Sequence, residues 1–197
     1  MKKTLLLLLF AALTVAVQAK SPKEGTVEPR VRFGVGYRYS LGLYESAVLK
    51  YQGVRVSSGG SPDYRRGGEF LLEGTVRVTG DWNVGLGFGF GSWSRGSYKS
   101  MPLYVKAERL YGRQRNRWFN YADAGLTLYP DYGTGFTGGI GGGYRIAVTR
   151  RTRLDLTVGF DYVNVVGDAY DYTVGEIYSN AGRINRLGLA FGVAMHF

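Results

Sequence analysis

The chain of 197 residues contains no cysteine and only one histidine. The absence of cysteine excludes disulfide bonds, a lipid-modified N-terminal cysteine and a zinc site built from cysteines. Proline is also scarce, with five residues, so the composition is not that of a proline-rich disordered chain. Stability must therefore come from secondary structure and packing alone.

Long apolar runs are almost absent too, and the one that exists lies at the N-terminus. Lys2 and Lys3 precede the stretch TLLLLLFAALTVAV, and Val17-Gln18-Ala19 offers small or modest side chains for cleavage by a signal peptidase. The run is shorter than the roughly 20 residues that a spanning helix needs. The sequence therefore predicts a cleavable signal peptide over residues 1–19, which implies export, and a flexible periplasmic lead-in over residues 20–30.

Glycine and aromatic residues are abundant, with 31 glycines, 16 tyrosines and 10 phenylalanines. After residue 19 no apolar run could cross a bilayer as a helix, so any insertion into a membrane must use strands. The formal net charge is +10. In an exported protein this charge favours anionic surfaces such as lipid headgroups, and we expect no nucleic-acid partner.

The rest of the sequence alternates apolar residues with small or polar ones, which is the signature of β-strands. In the stretch WNVGLGFGFG, for example, Trp, Val, Leu and Phe share one parity and glycines fill the other. Segments of this kind are close to the 9–11 residues of a tilted membrane strand. There are eight of them, over residues 31–39, 69–78, 82–91, 103–108, 121–129, 139–148, 154–162 and 187–197.

The connections between these segments alternate in length. TGD, GRQRN and TRRT are short, and the connections between them are longer. Short periplasmic turns and longer outer loops are typical of outer-membrane barrels. We therefore predict an all-β fold over residues 31–197, an eight-stranded antiparallel up-and-down transmembrane β-barrel with both termini on the periplasmic side. Ten strands are the alternative if AVLKYQGVRVSS forms an extra hairpin around Gln52 and Gly53; otherwise this stretch extends the first two strands beyond the bilayer.

The apolar parity is expected to face lipid. In a soluble barrel the glycine parity would line the water-facing surface, where strand glycines carry an entropic cost without a use. Inside a narrow barrel the same glycines make room for large side chains such as Tyr104, Tyr121 and Tyr129. Aromatic residues near the strand ends, among them Trp82, Trp93 and Trp118, fit the two interfacial belts.

This orientation places charged side chains in the lumen, where they must pair to be tolerated. Five cations and six carboxylates nearly balance, and we expect them to form a closed plug. The predicted interior charge network consists of Arg32, Arg38, Glu69, Glu73, Arg77, Lys106, Glu108, Asp123, Arg145, Asp155 and Asp161.

The C-terminal sequence INRLGLAFGVAMHF resembles the last strand that the barrel assembly machinery of outer membranes recognises. The resemblance implies an assembly signal and a transient contact with that machinery. Its residues are Leu189, Phe191, Val193, Met195 and Phe197.

Two longer stretches, MPLYVKAERLYGRQRNRWFNYADAGLTLYP and GFTGGIGGGYRIAVTRRTRLDLTVGFDYVN, resemble segments of small Bacteroidetes outer-membrane barrels, which are related in shape to the outer-membrane protein A and opacity-type barrels. The resemblance covers residues 31–197 and is weak over 40–66. It implies location in a Gram-negative outer membrane and no particular activity.

Catalytic chemistry has little support in the sequence. His196 lies at the periplasmic end, far from the outer rim where barrel enzymes carry their sites, and it is expected to fill space. Asp123, Asp155 and Asp161 could act as general acid and base, but ion pairing explains them better. The stretches GLGFGFG and GGIGGG have the period of strands and do not fit a dinucleotide loop. We expect no enzyme, no cofactor and no metal site.

Basic residues outside the strands suggest lipid partners. Two turn clusters, Arg113, Arg115 and Arg117, and Arg150, Arg151 and Arg153, are expected to form a solvated rim or to attract anionic phospholipid headgroups. The cations expected in the outer loops could contact lipopolysaccharide phosphates; they are Lys50, Arg55, Arg65, Arg66, Arg95 and Lys99.

These observations favour a non-enzymatic barrel with a structural or surface-contact function carried by its outer loops. A narrow, porin-like pore for small solutes is the first alternative, and a barrel enzyme that modifies lipid A is the second.

Overall fold

The computed structural model describes residues 30–51, 54–60, 66–78, 81–93, 98–112, 114–130, 133–171 and 176–197. The predicted signal peptide and residues 20–29 of the lead-in lie outside these residues. The described part contains nine strands: β1 (Val31–Tyr51), β2 (Val54–Gly60), β3 (Arg66–Arg77), β4 (Trp82–Trp93), β5 (Tyr98–Leu110), β6 (Arg117–Tyr129), β7 (Gly133–Ala147), β8 (Arg153–Asp171) and β9 (Glu176–His196). In this part of the chain, no helix has the length and apolar character that crossing a membrane requires.

The strands form one closed antiparallel sheet. From β3 to β9 each strand pairs with the next one along the chain, and β1 pairs with both β3 and β9. Closure brings Gly34 of β1 opposite His196 of β9. The predicted eight-stranded antiparallel up-and-down barrel is therefore confirmed.

Strand β2 does not add a ninth member to the wall. Residues of β1 from Gly34 to Leu41 pair with β3 and with β9, so these two strands occupy opposite edges of β1. The pairing of β1 with β3 ends at Leu41, and further along the same edge Glu45–Tyr51 of β1 pairs with β2. Residues 45–51 and 54–60 thus pair with each other and prolong the first two strands of the barrel, which decides between eight strands and ten.

A β-bulge interrupts β1 between Gly42 and Tyr44. At this point Leu43 and Tyr44, which are neighbours in sequence, are 43% and 52% exposed. A bulge inserts one residue on one strand only, so the parity of the side chains changes there. The change explains why the alternation that marks residues 31–39 is lost beyond Tyr39.

Several strands are longer than predicted. β1 and β9 have 21 residues and β8 has 19, against the 9–11 expected for a bilayer span. The predicted long loop after β8 is mostly a hairpin, because β8 and β9 remain paired as far as Asp171 and Glu176. Residues 167–171 and 176–182 show no apolar alternation in the sequence, so their backbone pairing could not be predicted from it.

The two faces of the wall differ as predicted. The outer face exposes large apolar side chains, with Phe70 66%, Leu86 64% and Ile140 64% exposed. The inner face buries charged ones, and Arg145 and Asp155 are each 1% exposed. Two small apolar clusters also lie inside the barrel: Trp93, Tyr129 and Val163, and Leu110, Phe119 and Tyr121.

Candidate functional site

Glycines on the inner face make the lumen wide enough for tyrosines. Tyr104 and Tyr121 are 2% and 8% exposed. A Cβ atom on Gly159 would lie 2.6 Å from the Tyr121 hydroxyl, and one on Gly141 would lie 2.7 Å from its ring. A Cβ atom on Gly87 would overlap the ring of Tyr104. Glycine is therefore required at these inward-facing positions, because the tyrosine side chains occupy the space that another side chain would need.

We call the end of the barrel that carries the three short turns and Phe197 the turn end, and the opposite end the loop end. Near the turn end Arg145 of β7 bridges two carboxylates. Its guanidinium donates to Asp155 of β8 at 2.8 and 2.6 Å, and to Glu108 of β5 at 2.9 Å. Nε2 of His196 lies 3.2 Å from the same Asp155. The sole histidine is thus in contact with the charged groups of the lumen.

In the middle of the barrel Lys106 joins Glu73 to Glu108. Its Nζ lies 3.1 Å from Glu73 Oε2 and 3.2 Å from Glu108 Oε1. The Tyr104 hydroxyl donates to Glu73 at 2.8 Å. Each of these carboxylates therefore has a cation within ion-pair distance, as burial of charge requires.

Arg38 connects opposite walls of the barrel. Its guanidinium lies 2.9 Å from Glu69 of the adjacent β3 and 3.4 Å from Asp123 of β6. In the closed strand order, β6 is four strands away from β1 in either direction. The contact between Arg38 and Asp123 therefore runs across the full width of the lumen.

Towards the loop end the contacts continue through neutral groups. The Ser100 hydroxyl accepts from the Trp93 indole at 3.0 Å and donates to Glu69 at 3.0 Å. Arg186 lies over the Trp93 ring, 3.4 Å from its centre, and 3.7 Å from Asp161.

Asp161 also accepts a hydrogen bond from β1: the Ser40 hydroxyl donates to one of its carboxylate oxygens at 2.7 Å. Polar contacts thus extend from Asp161 at the loop end to His196 at the turn end.

The eleven side chains of the predicted network all lie on the inner face, and nine of them make the contacts given above. The other two, Arg32 and Arg77, lie at the turn end, where Arg32 is 3% exposed and Arg77 is partly exposed. Arg32 interacts electrostatically with Arg145, Asp155 and Glu108. Their function remains a prediction.

Four interior groups were not predicted from the sequence. Arg117 and Arg153 were expected in solvated turns, but they begin β6 and β8 and are 8% and 1% exposed. Arg186 has the parity of Gly188 and Ala190, and this signal could have placed it inside. Trp93 was expected in an interfacial belt, but it is 3% exposed. The outward-facing residues of β4 have even numbers, so Trp93 faces the interior.

A small cavity of about 30 Å³ lies in the middle of the lumen. This volume corresponds to one or two water molecules. The cavity is bordered by charged and hydroxyl side chains from both halves of the charge network, among them Arg38, Glu73, Lys106, Asp123 and Asp155.

The C-terminal residues of the predicted assembly signal lie on the outer wall. Phe191, Met195 and Phe197 are exposed at 44%, 39% and 56%, and Leu189 and Val193 are half-buried. The backbone N–H of Phe197 donates to the carbonyl of Phe33 at 2.8 Å. The last strand is therefore held by both neighbours, β1 and β8.

The described residues contain no group of three or more histidine, aspartate or glutamate side chains that could hold a metal ion.

Comparisons with known proteins identify the fold only. No protein-family model matches the chain, and no curated protein matches it. Among solved structures, the outer membrane protein OprG from Pseudomonas aeruginosa has 10% identity and a TM-score of 0.55, covering 86% of this chain and 97% of that one. Neisserial surface protein A has 15% identity and a TM-score of 0.45, covering 82% and 96%. The outer membrane protease OmpT from Escherichia coli has 9% identity and a TM-score of 0.46, covering 90% and 99%.

Proposed function

We propose that this chain, which has the fold of a small outer-membrane β-barrel, is a non-enzymatic protein of the bacterial outer membrane with a closed lumen. Its function would be structural, or a surface contact made by the hairpins beyond the bilayer. The observation that carries the proposal is the ion pair between Arg38 and Asp123, which joins opposite walls. A solute would have to break this pair and the contacts next to it.

The alternative of a narrow pore has one observation in its favour, the cavity of about 30 Å³ beside Arg38. This volume is far below the 300–1,000 Å³ of ordinary ligand pockets. Arg38, Glu73 and Lys106 border this cavity and are all held in ion pairs. The closed lumen is therefore the better supported of the two.

Conductance across a planar bilayer tests the closed lumen. We expect the full chain to give no stable single-channel steps at 1 M potassium chloride. A variant with Arg38→Gly and Tyr104→Gly should give steps, because it removes the side chains that cross the lumen, and this variant shows that the assay can detect an opened barrel. The matched control is Arg183→Gly, at an exposed residue of β9, and this variant should give no conductance steps. Stable steps from the unmodified chain would refute the proposal.

We also propose that the turn end faces the periplasm and the loop end faces outward. Short turns are typical of the periplasmic side of these barrels. The assembly signal would then enter the membrane from the side on which the assembly machinery works. Protease added to intact cells should cut within residues 40–66 and leave the turns uncut.

Lipopolysaccharide is the partner that we propose for the outer surface. Arg66 and Lys99 are exposed near the loop end, while Arg65 and Arg95 and the side chains of Lys50 and Arg55 lie outside the described residues. Charge reversal at Arg65 and Arg66 should reduce the lipopolysaccharide that copurifies with the barrel. Unchanged copurification would count against this partner.

An enzyme that modifies lipid A is less well supported. The pair of Asp155 and His196 is buried in the lumen at 1% exposure each, and Asp155 is already bound to Arg145. An Asp155→Asn variant that folds should leave the lipid A composition of cells unchanged.

A further inference from the structure

An arginine on the lipid-facing side of the wall lies close to the turn end. Arg109 of β5 is exposed, as are Leu103 and Val105, which share its parity on the same strand. Its guanidinium carbon lies 5.9 Å from the centre of the Trp82 ring and 5.5 Å from the centre of the Tyr111 ring. Both distances are within the range of a cation–π contact. Two aromatic side chains therefore hold this guanidinium at the outer surface.

Among the described residues Arg109 has no carboxylate partner, and the two ring contacts are the interactions of its guanidinium. Glu108, the preceding residue, points into the lumen and forms its ion pairs there. Asp81 interacts electrostatically with arginines of the lumen. Phe197 follows β9, which is four strands away from β5 in either direction, so its carboxylate is not near this arginine. The N–H donors of Arg109 are therefore directed at the surroundings of the barrel.

Asn120 of β6 offers a hydrogen-bond acceptor next to this cation. It is exposed and lies directly opposite Arg109 in the strand register. Its Nδ2 donates to the Tyr111 hydroxyl at 3.1 Å, and Oδ1 of the same amide has no partner among the described residues. On its other side Asn120 faces Gly142 of β7, where an added Cβ atom would lie 3.4 Å from Oδ1. Because Gly142 has no side chain, the space beside this oxygen is open.

These side chains lie at the level where lipid headgroups meet acyl chains. In the direction of the loop end the neighbouring outward residues are apolar, and Val84 and Val105 are 46% and 54% exposed. In the direction of the turn end Tyr111 and Trp118 are 42% and 66% exposed. Exposed tyrosine and tryptophan are typical of the membrane interface. The negatively charged group of a phospholipid at this depth is its phosphodiester, which complements the charge of Arg109.

We propose that Arg109 and Asn120 form a binding site for one glycerophospholipid whose headgroup carries a hydrogen-bond donor, as ethanolamine does. The phosphodiester accepts charge-assisted hydrogen bonds from the guanidinium, which the two rings hold in place. The ammonium of the headgroup donates to Asn120 Oδ1, in the open space beside Gly142. A choline headgroup has no N–H to donate, so it leaves this oxygen unpaired. The site requires that the outer wall faces lipid, and it does not depend on whether the lumen is closed.

Native mass spectrometry counts the lipids bound to the full chain in tetraethylene glycol monooctyl ether, a detergent without phosphate. We expect dioleoyl phosphatidylethanolamine to occupy one saturable site. Arg109→Gln should weaken this binding about tenfold or more, because hydrogen bonds to a charged group are lost. Arg150→Gln is the matched control: it removes an exposed arginine from a turn at the same end and should bind the lipid as the unmodified chain does.

Dioleoyl phosphatidylcholine tests the function of Asn120. It has the same phosphodiester without a donor, and we expect the unmodified chain to bind it about tenfold more weakly than the ethanolamine lipid. Asn120→Ala should bind both lipids with similar affinity, because the acceptor is lost while Arg109 still holds the phosphodiester. Should Arg109→Gln fail to fold, Arg109→Lys keeps the charge without the planar donor fork and should also bind more weakly.

Two results for the ethanolamine lipid would refute the site. One is equal binding by Arg109→Gln and by the unmodified chain, which would mean that Arg109 only extends to water at the interface. The other is equal binding of the choline lipid by the unmodified chain. Displacement of the bound lipid by lipid A or by an excess of inorganic phosphate would likewise overturn the proposal, because the occupant would then be another anion.

Discussion

Replacement of Arg145 by glutamine tests whether the charges of the lumen are truly desolvated. The guanidinium donates three hydrogen bonds of 2.6 to 2.9 Å to Asp155 and Glu108. Arg145, Asp155 and Glu108 are each 1% exposed. Of the ion pairs described above, Asp155 would keep the one with His196 and Glu108 would keep the one with Lys106.

The expected loss of unfolding free energy is about 3–5 kcal/mol, the cost of removing one partner from a buried ion pair. An Asp155→Asn variant should also be destabilised, since it leaves Arg145 with one carboxylate. In the double variant the two losses should not add, and a coupling of about 2 kcal/mol is expected for groups in direct contact. Arg151→Gln, in the turn after β7, is the matched control: its side chain is exposed, so its effect should stay within about 0.5 kcal/mol.

Urea-induced equilibrium unfolding in phosphatidylcholine vesicles measures these differences. Tryptophan emission reports the transition, because Trp82 and Trp118 are 43% and 66% exposed on the outer wall and face lipid only in the folded barrel. A loss below about 1 kcal/mol for Arg145→Gln would mean that water reaches these carboxylates and solvates them. The lumen would then not be closed to water at this point, and the proposal of a closed lumen would be refuted.

Three further changes test other parts of the structure. Gly87→Ala should destabilise the barrel by about 1–3 kcal/mol through overpacking. The same change should be nearly neutral in a Tyr104→Ala background, because the three atoms nearest to the added Cβ all belong to Tyr104. Equal effects in both backgrounds would contradict the packing argument. Leu86→Arg on the outer wall should cost about 2–4 kcal/mol in vesicles, whereas Ser92→Arg near the end of the same strand should cost about 0–1; the reverse order would contradict the assigned membrane face. Phe197→Ala should lower the amount of folded protein in cell membranes without changing folding into vesicles, and unchanged assembly in cells would remove the assembly signal from this residue.

Much of the fold was predictable because a strand repeats every two residues. The parity of Phe70, Leu86 and Ile140 indicated the outer face without any knowledge of their neighbours. The same rule failed at the β1 bulge and in the long hairpins. A bulge shifts the parity, and a strand outside the bilayer has no apolar side to reveal it.

The charged lumen was only partly predictable. Parity placed Arg38 and Asp123 inside but could not pair them, since they are separated by 85 residues in sequence. Arg117 and Arg153 appeared to belong to turns because short basic segments normally lie in solvent. Their burial follows from where β6 and β8 begin, which depends on pairing with β7 and β9.

The sequence by itself thus determined that the chain forms a barrel with apolar residues on the outer face and charged residues in the lumen. The reason is that side chains alternate between the two faces of a strand with a fixed period of two residues. Only the tertiary structure decided which charges meet across the lumen and which arginines gather at its turn end. Those contacts depend on the stagger of strands around the closed wall, and this stagger is set when β1 pairs with β9.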